Sequence, residues 1–304
     1  MTTVPFTKEK AVLSSNTKLG LVHLRVKNLK NQVLFYTQAL KMTVHSQTET
    51  EAILGDTEHP MLHLHVHNDV KRYDNTTGMY HFALLYPSEK ELAKALAWLY
   101  AIKYEHIPTD HGMSKTSYLK DLEGNDIELY IRTLDRATYV KEGGVLQIKY
   151  NDGTLTDGRD PLDLDELFSH LEESDDIQSP LHDMEMGHIH LYGSNLDSMV
   201  NFYTNVIGFS EGVIDPRFRM GDVGLDEIQN HVIAFNSWKQ TDFAAPDDAV
   251  GLIYYTLTLS TQEDYDALLK RLKDANVDLI QENGSVYVLD PSHIKIKLEL
   301  VLSN

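Results

Sequence analysis

The strongest constraint on this chain is that it repeats itself. LGLVHLRVKNLKNQVLFYTQAL (19–40) lies over MGHIHLYGSNLDSMVNFYTNVI (186–207) without a gap. Gly20 meets Gly187, His23 meets His190, and Asn28-Leu29 meets Asn195-Leu196. Phe35-Tyr36-Thr37 then meets Phe202-Tyr203-Thr204. A second, weaker pair sets GMYHFALLYPSEKELAKALAWL (78–99) over GLIYYTLTLSTQEDYDALLKRL (251–272), and SYLKDLEGNDIELYI (117–131) over VYVLDPSHIKIKLEL (286–300). Self-similarity of this kind means copies of one supersecondary unit that bury a shared core.

Each copy reads alike. An alternating stretch gives a strand (Leu19–Val26, Met186–Tyr192), Asn28 or Asn195 suits a helix N-cap, an amphipathic helix follows, and further alternation gives more strands. The expectation is an α+β fold of four βαβββ modules, at roughly 19–68, 78–133, 186–237 and 250–301, forming two paired-module domains. In chain order these domains are 1–135 and 183–304, joined by a connector, 136–182. Within the connector LDLDELFSHLEE suits a short helix. The segment reads as a linker between halves, with a lid over a site as the alternative.

Composition narrows the chemistry. The net charge of −19, from 46 acidic and 27 basic residues, repels phosphate backbones and anionic lipid, so neither nucleic acid nor a membrane surface is expected as a partner. With no cysteine, disulfides, zinc–thiolate sites, iron–sulfur clusters and thiol nucleophiles are excluded. A metal would sit on His, Asp or Glu, and there are 15 histidines. The N-terminal stretch has no apolar core of signal-peptide length and no run is long enough to span a bilayer, so a cytoplasmic protein is expected.

Equivalent positions in the repeats show where ligands fall. The same place on the first strand carries Leu21, His81, His188 and Tyr254, and the last strands of the second and fourth modules carry Glu128 and Lys297. Leucine binds no metal, and protonated lysine has no lone pair. His81, Glu128 and His188 remain, two histidines and a carboxylate, a set that suits non-haem Fe(II) with open positions. Taken singly, each also reads as an ordinary packed or solvated strand residue. His63, His65 and His67 share one face of a strand. They read as a polar face against water, with a second metal site beside His23, or a share in a site with His81 and Glu128, as alternatives.

GHIHLYGSNLDSMVNFYTNVIGF, YHFALLYP and HGMSKTSYLKDLEGNDIELY together resemble the vicinal oxygen chelate superfamily, and within it the extradiol dioxygenases of the bacterial catechol-2,3-dioxygenase type. The resemblance implies paired modules and an oxidoreductase of aromatic catabolism that cleaves a small aromatic diol with O2 to a semialdehyde. It implies Fe(II), or Mn(II), on His81, Glu128 and His188. Tyr118 would hydrogen-bond the bound diol, His231 would act as acid–base, and His111 would be a further active-site histidine. One departure stands out. The best-known members draw their ligands from the third and fourth modules, where this chain has Tyr254 and Lys297, so module 2 is expected to pair with 3, and 1 with 4. A glyoxalase-like lyase or isomerase, with a fourth ligand from His231, His63 or His65, is the alternative, as is a resistance protein that binds small aromatics. A homo-oligomer remains open.

Overall fold

Alternation in the opening strand of each repeat decides what each side of the sheet meets. In the strand Lys18–Val26, Val22, Leu24 and Val26 are fully buried, while His23 points to the other face. The same pattern buries Phe82 and Leu84 in Gly78–Leu85, Ile189 and Leu191 in Glu185–Tyr192, and Tyr255, Leu257 and Leu259 in Gly251–Leu259. Each such side chain contributes about 1.5–3 kcal/mol by leaving water. That apolar side fixes the register, and so fixes which residues the opposite face presents.

The computed structural model describes residues 2–3, 12–67, 69–142, 145–225 and 231–301. All four repeats are βαβββ. The first runs Lys18–Val26, helix Leu29–Gln38, Thr43–Gln47, Glu51–Gly55 and Pro60–Val66. The second runs Gly78–Leu85, helix Glu89–Ala101, Ile107–Asp110, Ser114–Lys120 and Asp126–Arg132. The third runs Glu185–Tyr192, helix Leu196–Asn201 continuing as a π-helix over Phe202–Ile207, Ser210–Asp215, Met220–Gly224 and His231–Asn236. The fourth runs Gly251–Leu259, helix Gln262–Asp274, Ile280–Glu282, Ser285–Leu289 and Lys295–Leu300. Asn28 and Asn195 are the N-caps the sequence suggested, accepting from the amides of Asn31 and Ser198, and Ser88 and Thr261 do the same in the other two repeats. Each cap contributes about 1 kcal/mol. In every repeat the first and last strands lie side by side and parallel.

The described residues divide into two compact units, one of 2–3, 28–61 and 81–186, the other of 12–27, 62–80 and 187–301. In the first unit the strands run in the order Asp160–Pro161, Ile107–Asp110, Ser114–Lys120, Asp126–Arg132, Gly78–Leu85. In the second, one run of strands is Ile280–Glu282, Ser285–Leu289, Lys295–Leu300, Gly251–Leu259, Lys18–Val26, Pro60–Val66. The first repeat's opening strand therefore pairs, antiparallel, with that of the fourth, with His23 opposite Tyr254.

A buried tie recurs in both units. Tyr36 donates to Asp121 at 3.0 Å, and Tyr203, its counterpart, donates to Asp290 at 3.0 Å. Each aspartate also receives backbone amides from the turn ahead of a closing strand, Asn125 at 2.8 Å for Asp121 and Ile294 at 2.9 Å for Asp290. Helix and closing strand are thus fixed to each other by a polar contact whose buried carboxylate is fully engaged.

The segment after the second repeat has structure of its own. Ala137–Glu142 and Val145–Tyr150 form a hairpin, and Ile148 packs with Met113 and Ala137. Asp160–Pro161 pairs with Ile107–Asp110, and a helix, Leu164–Phe168, follows with Asp163 as its cap. Lys115 Nζ lies 2.5 Å from both Glu89 and Glu166, which ties that helix to Glu89–Ala101. Among the described residues no helix is long and apolar enough to cross a membrane.

Candidate metal centre

In the first unit, the parallel pairing of Gly78–Leu85 with Asp126–Arg132 sets Ala83 opposite Glu128, one step along the same face from His81. His81 Nε2 and Glu128 Oε2 are 3.0 Å apart, with both side chains almost wholly buried. A carboxylate so placed needs a charged or hydrogen-bonding partner. Ligands about 2.0–2.2 Å from one metal ion sit about 3 Å from each other, so this pair fits the edge of a coordination sphere.

Antiparallel pairing places Tyr118 directly opposite Glu128, and its ring lies 5.6 Å from that of His81. Tyr118 Oη is 2.8 Å from His111 Nε2. The other nitrogen of that ring, Nδ1, faces the carbonyl oxygen of Gly158. A carbonyl only accepts, so Nδ1 carries the hydrogen, Nε2 offers its lone pair, and the Tyr118 hydroxyl donates to it. His111 is thereby joined to Tyr118 on one side and to the segment after the second repeat on the other. Gly112, in left-handed conformation with φ +73°, makes the turn that carries His111 into Ser114–Lys120.

In the second unit, His188 is buried on Glu185–Tyr192, the strand that pairs in parallel with His231–Asn236. The rings of His188 and His231 meet edge to face, 4.3 Å between centroids. Two residues on, His190 Nε2 is 2.9 Å from Asn236 Nδ2. Tyr80 packs 5.0 Å from His190 and Trp238 5.9 Å from it. Sequence reasoning passed over His190, Tyr80 and Trp238. The signal for His190 was present, because a residue two along a strand from His188 shares its face.

At the matching places of the fourth repeat the donors are gone. Tyr254 stands where His81 does, 5.2 Å from Tyr287, and Lys297 stands where Glu128 does, paired with Glu299 at 2.6 Å. His23, by contrast, lies among His63, His65 and Tyr254. Burial first, then His63, His65 and Lys297, pushes its pKa down to about 2, so the ring stays neutral. His63 and His65 are half-buried, and of the three alternating histidines His67 alone is exposed. In a further group, Glu89, Glu166 and His170, the two carboxylates already pair with Lys115 and with the histidine. The His and Glu clusters of this chain can hold a divalent metal.

The chain belongs to the Glyoxalase/Bleomycin resistance protein/Dioxygenase superfamily, whose model matches residues 18–129. A relative, catechol-2,3-dioxygenase of Bacillus subtilis (strain 168), is 30% identical over 287 residues, which cover 92% of this chain and 95% of that one. Among solved structures, glyoxalase I from Zea mays superposes with a TM-score of 0.55 at 15% identity, covering 93% of this chain and 92% of that one. The cppA protein from Streptococcus pneumoniae TIGR4 superposes with a TM-score of 0.56 at 14% identity, covering 96% and 99%. At these identities the likeness of the two structures is one of fold.

Proposed function

We propose that this chain is a non-haem Fe(II)-dependent extradiol dioxygenase that opens catechol-type rings with O2 to semialdehydes, with His81, Glu128 and His188 as ligands. The observation that carries this reading is the buried His81–Glu128 pair, whose Nε2 and Oε2 atoms stand 3.0 Å apart. His188, buried at the equivalent place of the third repeat, is the third ligand. Two imidazoles and one carboxylate suit Fe(II), with Mn(II) sharing the preference, and would leave positions open for the diol and O2. The relative that is a catechol-2,3-dioxygenase supports the same chemistry.

When bound, Fe(II) supplies acidification of the diol hydroxyls and one-electron chemistry toward O2. The side chains handle protons and position. Tyr118 Oη, whose hydrogen is directed at His111 Nε2, keeps lone pairs for a diol hydroxyl. A proton passing from that hydroxyl to Tyr118 Oη is matched by the Tyr118 proton passing to His111 Nε2, and the Gly158 carbonyl stabilises the resulting imidazolium through Nδ1. His231, against the ring of His188, takes the second proton and returns it as the ring opens. The burial of His81, Glu128 and His188 keeps bulk water from the ligands.

The test is O2 uptake by anaerobically purified, Fe(II)-loaded protein given catechol and simple substituted catechols, with His188→Ala treated identically. Uptake that disappears in the variant supports the reading. Uptake that survives in it removes His188 from the ligand set. No uptake by either, with iron bound, refutes the dioxygenase and favours a glyoxalase-like reaction, which consumes no O2.

A further inference from the structure

A second group of donors lies wholly within the other unit, and its chemistry does not depend on the iron centre. His23 faces His63 directly across the parallel pair Lys18–Val26 and Pro60–Val66, and His65 follows on the same face. Ring centroids are 4.9 Å apart for His23 and His63, 5.3 Å for His23 and His65, and 3.9 Å for His63 and His65. His23 Nδ1 is 3.0 Å from His65 Nε2, and one ligand atom from each of the three lies within 4.8 Å of the others.

The fold does not require three imidazoles here. Val22 pairs with Leu62 as Ile189 pairs with Ile233, so the third repeat shows what the same places hold without them. They are His190, Ala234 and Asn236, and there His190 Nε2 is 2.9 Å from the asparagine amide. His63 and His65 thus stand where the third repeat has Ala234 and Asn236.

We propose that His23, His63 and His65 form a second metal site, for an imidazole-preferring divalent ion of the zinc type, with the remaining coordination position left to solvent. At a zinc–nitrogen distance near 2.0–2.1 Å, tetrahedral ligand atoms stand about 3.3 Å apart. His23 and His65 already meet that spacing, and His63 closes on it by a side-chain adjustment. All three donors are neutral nitrogen ligands, which select Zn(II), Ni(II) or Cu(II) over Mg(II), Ca(II) and Mn(II). Tyr254 stacks over His23 at 4.0 Å and braces its ring, as a packed second layer does around metal-binding histidines. Lys297, whose charge reaches His23, is ion-paired with Glu299 at 2.6 Å.

Equilibrium dialysis of the full chain against Zn(II), with bound metal counted by plasma mass spectrometry, tests this. Wild type is expected to hold two equivalents, His63→Ala one, His81→Ala one, and the double variant none. His63→Ala copies Ala234; should it fail to fold by circular dichroism, His65→Asn, which copies Asn236, carries the same test. Cu(II) bound to His81→Ala should show an electron paramagnetic resonance signal with nitrogen hyperfine structure that His65→Asn loses. The proposal is overturned if wild type holds a single equivalent that His63→Ala keeps, or if the His63 and His65 variants bind as much as wild type. Loss of an equivalent in His81→Ala alone speaks for the first centre and against the second.

Discussion

Replacing Gly158 by alanine separates the scaffold from the site it supports. Gly158 has φ +75°, and a Cβ there would stand 2.6 Å from Cδ1 of Ile148. The left-handed backbone costs a non-glycine residue about 1–2 kcal/mol. Moving Ile148 off its place beside Met113 and Ala137 costs about 0.5–1.5 kcal/mol more. Gly158→Ala should therefore lose about 1.5–3.5 kcal/mol. Gly153 is the control: it has φ +94° with nothing within 4 Å of a Cβ, so Gly153→Ala should lose only the backbone part, about 1–2 kcal/mol. The Gly158 carbonyl holds His111 Nδ1, and displacing it loosens a hydrogen bond with a net contribution of about 0.5–1.5 kcal/mol. Passed on through Tyr118, that lowers kcat/KM for catechol by up to about ten-fold. Urea unfolding and O2-uptake kinetics on both variants decide the matter. Equal stability losses together with unchanged kinetics in Gly158→Ala would refute both the packing argument and the positioning of His111 by this carbonyl.

Tyr118→Phe removes the hydroxyl between Glu128's neighbourhood and His111 and should lower kcat/KM about ten-fold, with bound iron unchanged by metal analysis. His231→Ala should reduce turnover by about 10²–10⁴-fold while iron stays bound, whereas His188→Ala should lose both, which separates proton transfer from ligation. Burial pushes the Asp290 carboxyl up to about 6 from its ordinary 3.8, against the pull of the Ile294 and Ser292 amides and the Tyr203 hydroxyl. The folded protein then holds that proton longer than the unfolded chain. Stability from this group is full below about pH 4 and is lost as pH rises through about 6, a slope that urea unfolding should find absent in Asp290→Asn. Tyr36→Phe should lose about 1.5–3 kcal/mol at neutral pH by removing a donor to the buried Asp121 carboxylate, read as a lowered urea midpoint.

Much of this architecture is written in local patterns. The gapless match of 19–40 with 186–207 gives the module, the asparagines that open two of the helices give their starts, and period-two alternation gives the strands. Comparing equivalent positions isolates His81, Glu128 and His188 because ligand chemistry removes Leu21, Tyr254 and Lys297. Other features have no such signature. The Gly158 carbonyl that fixes the His111 tautomer is backbone, and no side chain announces it. The hairpin of Ala137–Glu142 and Val145–Tyr150 is short, and the Asp- and Gly-rich stretches around it hide its alternation. The repeated Phe-Tyr-Thr looks like core packing until the Tyr36 and Tyr203 hydroxyls are seen on Asp121 and Asp290. In Pro60–Val66, alternation shows that His63 and His65 share a face but not what covers that face. Only the pairing with Lys18–Val26 and Gly251–Leu259 brings His23 and Tyr254 over them.

The repeat also explains how one module can give unlike sites. Its first strand offers inward places two residues apart, because side chains on one face recur with period two. In the third repeat these are His188 and His190; in the first they are Leu21 and His23. At the outer places of the first and fourth repeats stand Leu21 and Tyr254, and Lys297 takes the place that Glu128 has in the second, so the histidine and carboxylate of that set are missing there. The inner place depends on the last strand of its own repeat, which pairs beside it in parallel. Substitutions there, histidines in the first repeat and alanine and asparagine in the third, change its ligand chemistry without disturbing either the helix-facing core or the outer place. Val22, Leu24, Ile189 and Leu191 carry the fold from the opposite side of the same strands, where all four are fully buried, and this leaves the two inward layers free to diverge independently.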